Sequence, residues 1–250
     1  MYKFFINNNA EVGQNVFIDG NDYNHLKNSL RLNIGDRVIL SDAEGFDMEA
    51  EIIKFNDQSV KLEIINKEKS TVEPNLKVYL AQALPKKSKM DFIVEKATEI
   101  GFKALIPLET KRTIVKYNAK KKEKKQDRWQ RVAEAAAKQS GRAVIPDIFN
   151  FHSINSLKNF TNKFDYILVL WENEKEYSIK KFFRENIVSN TASILMIVGP
   201  EGGFSAEEVE QLKKELNAVI ISLGARIMRT ETAGITGLTC LLYEKGELGD

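Results

Sequence analysis

The chain of 250 residues is 43% hydrophobic and 29% charged, enough apolar material for one large domain or a small one joined to a medium one. Its single cysteine excludes an intramolecular disulfide framework, and two well-separated histidines, His25 and His152, leave no zinc-ligand cluster to assemble. No apolar run reaches the roughly 18 residues that span a bilayer, and Met1–Ile6 runs straight into polar Asn7-Asn8-Asn9, so a cytoplasmic protein without membrane or metal is expected.

Residues 1–70 read as β structure. Apolar or alternating stretches recur at Asn15–Ile18, Arg37–Leu40, Met48–Phe55 and Ser59–Ile65, separated by turn signals such as Gly35-Asp36 and Asn56-Asp57. Only Asp22–Leu30 looks helical. This pattern predicts a small barrel, an architecture that often presents a face to nucleic acid. Asn66–Asn75, with Pro74, reads as a linker to a second domain over residues 75–250.

Beyond the linker strands and helices alternate. Strands are predicted at Lys77–Ala83, Ala104–Pro107, Asp165–Leu170, Ser193–Val198 and Ala218–Leu223. Helices are predicted at Met90–Ile100, Lys124–Gln139, Ile179–Asn186, Ser205–Leu216 and Ala233–Tyr243. The interleaving implies an α/β domain with a largely parallel sheet covered on both faces.

Charge is unevenly spread. Lys86–Arg131 holds fifteen Lys and Arg against six Asp and Glu, a surplus of +9 in a chain whose net charge is +2. A basic segment on an otherwise acidic protein points to a polyanionic partner, although a solvated lysine-rich helix has the same composition.

Two loops carry the chemistry. The strand ending at Val198 opens into Gly199-Pro200-Glu201-Gly202-Gly203-Phe204-Ser205, and Ser205 with Glu208 forms a capping box. The loop lacks the Gly-Lys-Ser/Thr ending of a phosphate cradle, and Glu201 would repel phosphate. A ligand with cationic or hydrogen-bond-donating groups suits it, as would a plain tight turn that needs glycine. The next strand opens into Gly224-Ala225-Arg226-Ile227-Met228-Arg229-Thr230-Glu231-Thr232-Ala233, where apolar groups can sandwich a flat ring and Thr230 or Thr232 can cap the final helix.

These two loops resemble those of the ribosomal small-subunit methyltransferase E family, enzymes of the SPOUT, or α/β-knot, superfamily that methylate N3 of a uridine in 16S rRNA. The resemblance covers nearly the whole chain: His25-Leu26, Leu30-Arg31-Leu32 and Gly35-Asp36; Lys89-Met90-Asp91 and Glu95–Gly101; Arg128-Trp129 and Gln139-Ser140-Gly141-Arg142. It departs at Lys3, where arginine is usual, at Lys87-Ser88, which replaces a glycine-plus-acid pair, and at Met228, which replaces leucine.

The resemblance implies a PUA-like β-barrel over residues 1–70 and a trefoil-knotted SPOUT domain over 75–250, working as a homodimer on the small ribosomal subunit. It implies S-adenosylmethionine as cofactor, held by Leu170, Gly199, Pro200, Glu201, Gly203, Leu223, Gly224, Ile227, Met228, Thr230 and Thr232. Candidate RNA contacts are Lys3, Arg31, Lys86, Lys89, Arg112, Arg128, Arg131 and Arg142. Uracil N3 must lose a proton, so Arg226 or Arg229 would stabilise charge developing on the base, and Glu201 or Glu231 would accept the proton or simply hold the donor. Cys240, within apolar Leu238–Leu242, reads as a buried structural thiol, which disfavours C5 chemistry. The other readings are 2′-O-ribose methylation by a SPOUT enzyme and an RNA-binding module without catalysis.

Overall fold

A computed structural model describes residues 1–6, 9–42 and 44–249; Asn7 and Asn8 of the polar N-terminal run lie outside them. The chain forms two compact units, Met1–Glu73 with Ala137–Ile145, and Pro74–Ala136 with Pro146–Asp250.

The first unit holds β1 (Lys3–Phe5), β2 (Asn15–Asp19), the one-turn helix α1 (Gly20–Asn24) continued by a π-helical turn His25–Ser29, then β3 (Arg37–Ser41), β4 (Phe46–Phe55) and β5 (Ser59–Lys69). Its sheet runs β1-β3-β4-β5-β2, antiparallel except for β1 beside β3. Alternation places Val38, Leu40, Met48, Ala50, Ile52, Leu62 and Ile64 in one core, over which Tyr23 and Leu26 of the helical segment close. Exposed Arg31 at φ 55° ends that segment, because the left-handed conformation cannot continue a helix.

The structure departs from expectation here in three places. Lys3–Phe5 is a strand, whose Phe4 is buried. Asn66–Lys69 extends β5 instead of opening a linker, since it pairs with Phe46–Glu49 and Lys67 lies 5.0 Å over the Phe46 ring. The segment 137–145, expected in the second domain, joins the first unit: the Lys3 ammonium donates to the Gly141 carbonyl at 2.9 Å, and Arg142 Nη2 lies 2.6 Å from Glu73 Oε2.

The second unit contains β6 (Lys77–Ala83), α2 (Lys89–Ile100), β7 (Ala104–Glu109), most of α3 (Ala119–Ser140), β8 (Asp147–Ile148), β9 (His152–Ser153), α4 (Ile154–Leu157) with a 3-10 turn at Lys158–Lys163, β10 (Tyr166–Leu170), α5 (Ile179–Glu185), β11 (Ser193–Val198), α6 (Ala206–Leu216), β12 (Val219–Ile221) and α7 (Thr230–Glu244). Its seven strands are parallel in the order β12-β10-β11-β6-β7-β8, with β9 also on β7. The central strands β10 and β11 read as unbroken apolar runs because helices cover both faces. After edge strand β12 the chain returns to lay α7 on β6, β11, α2 and α5, the path expected of the knotted fold.

Helix α3 starts five residues earlier than its apolar periodicity suggests, as Asn118 Oδ1 accepts the Lys121 N–H at 3.0 Å, and it stops before Gly141 at φ 73°. The two-residue strands β8 and β9 are too short to show a period. No helix among the described residues is long and apolar enough to cross a membrane.

Arg142 is 4% exposed and held by Glu73, so it braces the first unit instead of facing RNA. Lys3, paired with Asp47 at 3.0 Å, does the same. Removing one partner of a buried pair leaves the other charge uncompensated. Arg142→Ala is expected to cost about 3 kcal/mol in urea denaturation and to leave the salt dependence of RNA binding unchanged.

Candidate active site

Parallel strands end where their carbonyls and the next helix amides face a common crevice. At the carboxyl ends of β10, β11 and β12 lies a cavity of about 460 Å³. One wall is Val198–Gly203, another Ser222–Gly224 with Arg226–Thr230, and a third Leu170–Glu172 with Lys175. All the cofactor-site residues expected from the sequence line it except Thr232, which is exposed on α7 outside the lining.

The floor is set by helix α7 pressing against the sheet. A Cβ on Gly237 would sit 2.7 Å from both Leu170 Cδ1 and Met196 Sδ, and one on Gly234 would sit 2.9 Å from Gln82 Oε1. Glycine is needed at these positions for close approach. Gln82, fully buried on β6, donates to Thr230 Oγ1 at 2.8 Å, and Thr230 in turn donates to the Gly199 carbonyl at 2.6 Å. This buried relay ties the second loop to the first. Thr230 therefore does not cap α7; its N-cap is Arg229, whose side chain makes no cap hydrogen bond. Thr232 does not cap it either.

Gly224, at φ 102° with open space where a Cβ would project, supplies the left-handed backbone turn with which the second loop leaves β12 along the cavity. Ile227 is 83% exposed and Met228 is half-buried, so the apolar groups expected to sandwich a flat ring are not packed into the core. The buried Trp171 indole N–H in the third wall has no hydrogen-bond partner among the described residues. An orphaned donor in a cavity wall is costly unless something at the site satisfies it.

The charged residues divide sharply. Glu201 accepts the Lys86 backbone N–H at 2.9 Å and lies 3.4 Å from Lys89 Nζ. Burial pushes its carboxyl up, but the Lys86 and Glu201 backbone amides and Lys89 outweigh that and hold it below the usual range, so it stays ionised. Glu231 lies 3.0 Å from the same ammonium and does not line the cavity. Glu231 and then Glu201 raise Lys89 above the ordinary lysine range, against the effect of burial. Exposed Arg226 and Arg229 line the cavity and meet no carboxylate among the described residues.

Of the candidate RNA contacts in this unit, Arg112 donates to the Gly202 carbonyl at 2.8 Å, which makes it a brace for the first loop. Arg128 forms a fork on Asp91, whose Oδ1 also accepts the Trp129 indole N–H at 3.0 Å. Lys86 and Arg131 are exposed. Cys240 is half-buried instead of buried, and burial followed by Glu244 pushes its thiol up, away from nucleophilic thiolate. Gln82, Trp171 and Glu172 were missed from the sequence. Their one signal is position, since each lies in the last residues of a buried parallel strand or directly after it.

An RNA methyltransferase domain model matches residues 72–242, and an RNA methyltransferase PUA domain model matches residues 18–65. The chain is 35% identical to ribosomal RNA small subunit methyltransferase E of Bacillus subtilis, covering 98% of this chain and 97% of the relative. It is 35% identical to the enzyme of the same name from Mesomycoplasma hyopneumoniae, covering 96% and 98%. The crystal structure of ribosomal RNA small subunit methyltransferase E from Neisseria gonorrhoeae, bound to S-adenosyl methionine, superposes with a TM-score of 0.82 at 27% identity over 98% of each chain.

Adding one methyl group at Gly237 forces helix and sheet apart. Gly237→Ala is expected to cost about 1–3 kcal/mol, read as a lowered thermal midpoint, and to raise the accessibility of the cavity floor at Leu170 in hydrogen exchange.

Proposed function

The chain belongs to the ribosomal RNA small subunit methyltransferase E family, and from that premise we propose that it transfers a methyl group from S-adenosylmethionine to N3 of a uridine in 16S rRNA, in the cytoplasm. The observation that carries this reading is the cavity in which both motif loops meet at the strand ends. Its volume of about 460 Å³ is that of a small-molecule site. The open space at Gly224 and the orphaned Trp171 N–H fit a flat heterocycle with polar edges.

When bound, S-adenosylmethionine supplies an electrophilic methyl group on a sulfonium. The protein then needs mainly to align the acceptor and favour its anion. Leu223, Ile227 and Met228 offer apolar surface to a ring, while the backbone at Gly199, Pro200, Gly203 and Gly224 offers polar edges. Arg226 and Arg229 put unpaired positive charge at the cavity, where uracil oxygens gather charge as the N3 proton leaves. Neither carboxylate is set up as a base. Glu201 is held ionised by three donors and Glu231 is bound to Lys89, so both support the loops electrostatically.

A homodimer is part of the same proposal. Phe92 on α2 and Tyr243 on α7, 46% and 64% exposed, lie on helices that pack together. Paired copies would cover them and allow both subunits to contribute to one site.

The deciding experiment is nucleoside mass spectrometry of 16S rRNA after incubation with enzyme and donor. The expected product is 3-methyluridine; a ribose-methylated nucleoside, or none, would overturn the reading.

The role of Glu201 is tested by Glu201→Gln. A group with depressed pKa holds its charge above its unfolded pKa and loses it only as pH falls through the folded one. Its effect therefore lies in acid, below the ordinary glutamate range. Activity is expected to fall less than about tenfold with the pH–rate profile above pH 5 unchanged, whereas loss of a general base costs about 10²–10⁴-fold.

A further inference from the structure

The cations of α3 fall into two sets. Within the second unit, Lys122 pairs with Glu109 at 2.7 Å and Arg128 with Asp91 at 2.8 Å. Lys120, Lys121, Lys124, Lys125 and Arg131 meet no carboxylate among the described residues, and all but half-buried Lys125 are exposed. Lys121 and Lys125 instead lie 5.0 Å and 5.9 Å over the Tyr117 ring.

In the free protein this arrangement is unfavourable twice over. The first turn of α3 has no acidic residue, so the lysines face the positive end of the helix dipole. Lys120 with Lys124, and Lys121 with Lys125, are like charges four residues apart, which repel. A local conflict of this kind is what a functional surface shows.

At 3.6 residues per turn, Lys120, Lys124 and Arg131 fall on one stripe about 16 Å long; Asp127 shares it, Lys121 and Glu123 flank it on opposite sides, and Lys125 lies farther round beyond Lys121. The line borders the active site through α2: Arg128 grips Asp91, two residues beyond Lys89, which contacts Glu201 in the first loop. Arg112, committed to Gly202, and Arg128, committed to Asp91, are the cations that a sequence would first nominate and that the structure uses internally.

We propose that this face of α3 binds the phosphate backbone of the substrate RNA flanking the nucleotide delivered to the cavity, without reading bases. The proposal rests on the reading of the protein as an rRNA methyltransferase.

The test replaces Lys120, Lys121, Lys124 and Lys125 with Gln, which keeps helix propensity, in the full-length protein. The probe is a transcribed 16S rRNA fragment followed by fluorescence anisotropy between 50 and 300 mM salt. The slope of log affinity against log salt is expected to shrink by about 3 and affinity to drop at least about tenfold near 150 mM. The thermal midpoint should hold or rise as repulsion is relieved, and S-adenosylmethionine affinity should not change. The matching four Lys→Arg changes should restore the slope.

An unchanged slope in a folded Gln variant overturns the proposal, as does a lost slope accompanied by a lower thermal midpoint, which makes the lysines structural. Wild-type protein that binds anionic phosphatidylserine vesicles through these lysines, but not the RNA, also overturns it. Failure of wild type to methylate rRNA at all would instead strike the functional reading itself.

Discussion

The close seating of α7 on the parallel sheet is the constraint on which the second unit depends. Gly234 and Gly237 remove the Cβ atoms that would collide with Gln82, Leu170 and Met196. The space gained lets Gln82 reach Thr230 and Thr230 reach Gly199. One buried relay therefore fixes the start of the final helix, the end of β6 and the first glycine loop together. The cavity lies beside that relay, lined by Gly199 and Thr230 together with the third wall at Leu170–Glu172. In a low-dielectric interior such a relay is strong when complete and costly when broken, so it rigidifies the site it supports.

Around that rigid floor, charge is sorted by whether it has a partner. Lys89 sits between Glu201 and Glu231, and the Lys86 amide adds a further bond to Glu201. These contacts join the N-terminus of α2 to the first loop and to the N-terminus of α7. Arg112 completes the bracing from the other side. Arg226 and Arg229, on the more exposed loop of the cavity, meet no carboxylate among the described residues. Fixed anions with their cations set the geometry, and the free cations are left for a substrate that becomes negative as it reacts.

The first unit shows the same division. Lys3 and Arg142 are basic residues in a protein expected to bind RNA, yet Lys3 is held by Asp47 and the Gly141 carbonyl, and Arg142 by Glu73. Their stems and heads are enclosed, so their charge closes the fold of that unit. Arg31, in contrast, is exposed at the end of the helical segment and meets no carboxylate among the described residues. Burial and pairing, which no count of lysines and arginines contains, decide which cations can meet a phosphate.

The sequence by itself determined the alternation of strands and helices beyond residue 77, the five strands that carry the central sheet, and both loops of the cavity. Long buried strands such as Ile194–Val198 announce themselves by apolar composition, and the glycine loops by residues that only special backbone geometry requires. It could not show Lys3–Phe5, β8 or β9, which are too short for a period, nor the polar end of β5, which is held by cross-strand pairing and not by burial. It could not show that Ala137–Ile145 packs within the same compact unit as Met1–Glu73, because the contacts of Arg142 with Glu73 and of Lys3 with Gly141 span 69 and 138 residues. Only the tertiary structure decided that Thr230 serves Gly199 and not the helix end, that Glu201 is an engaged anion, and that Gln82 belongs to the site. Each is a contact between groups distant along the chain, and local pattern carries no information about which distant group arrives.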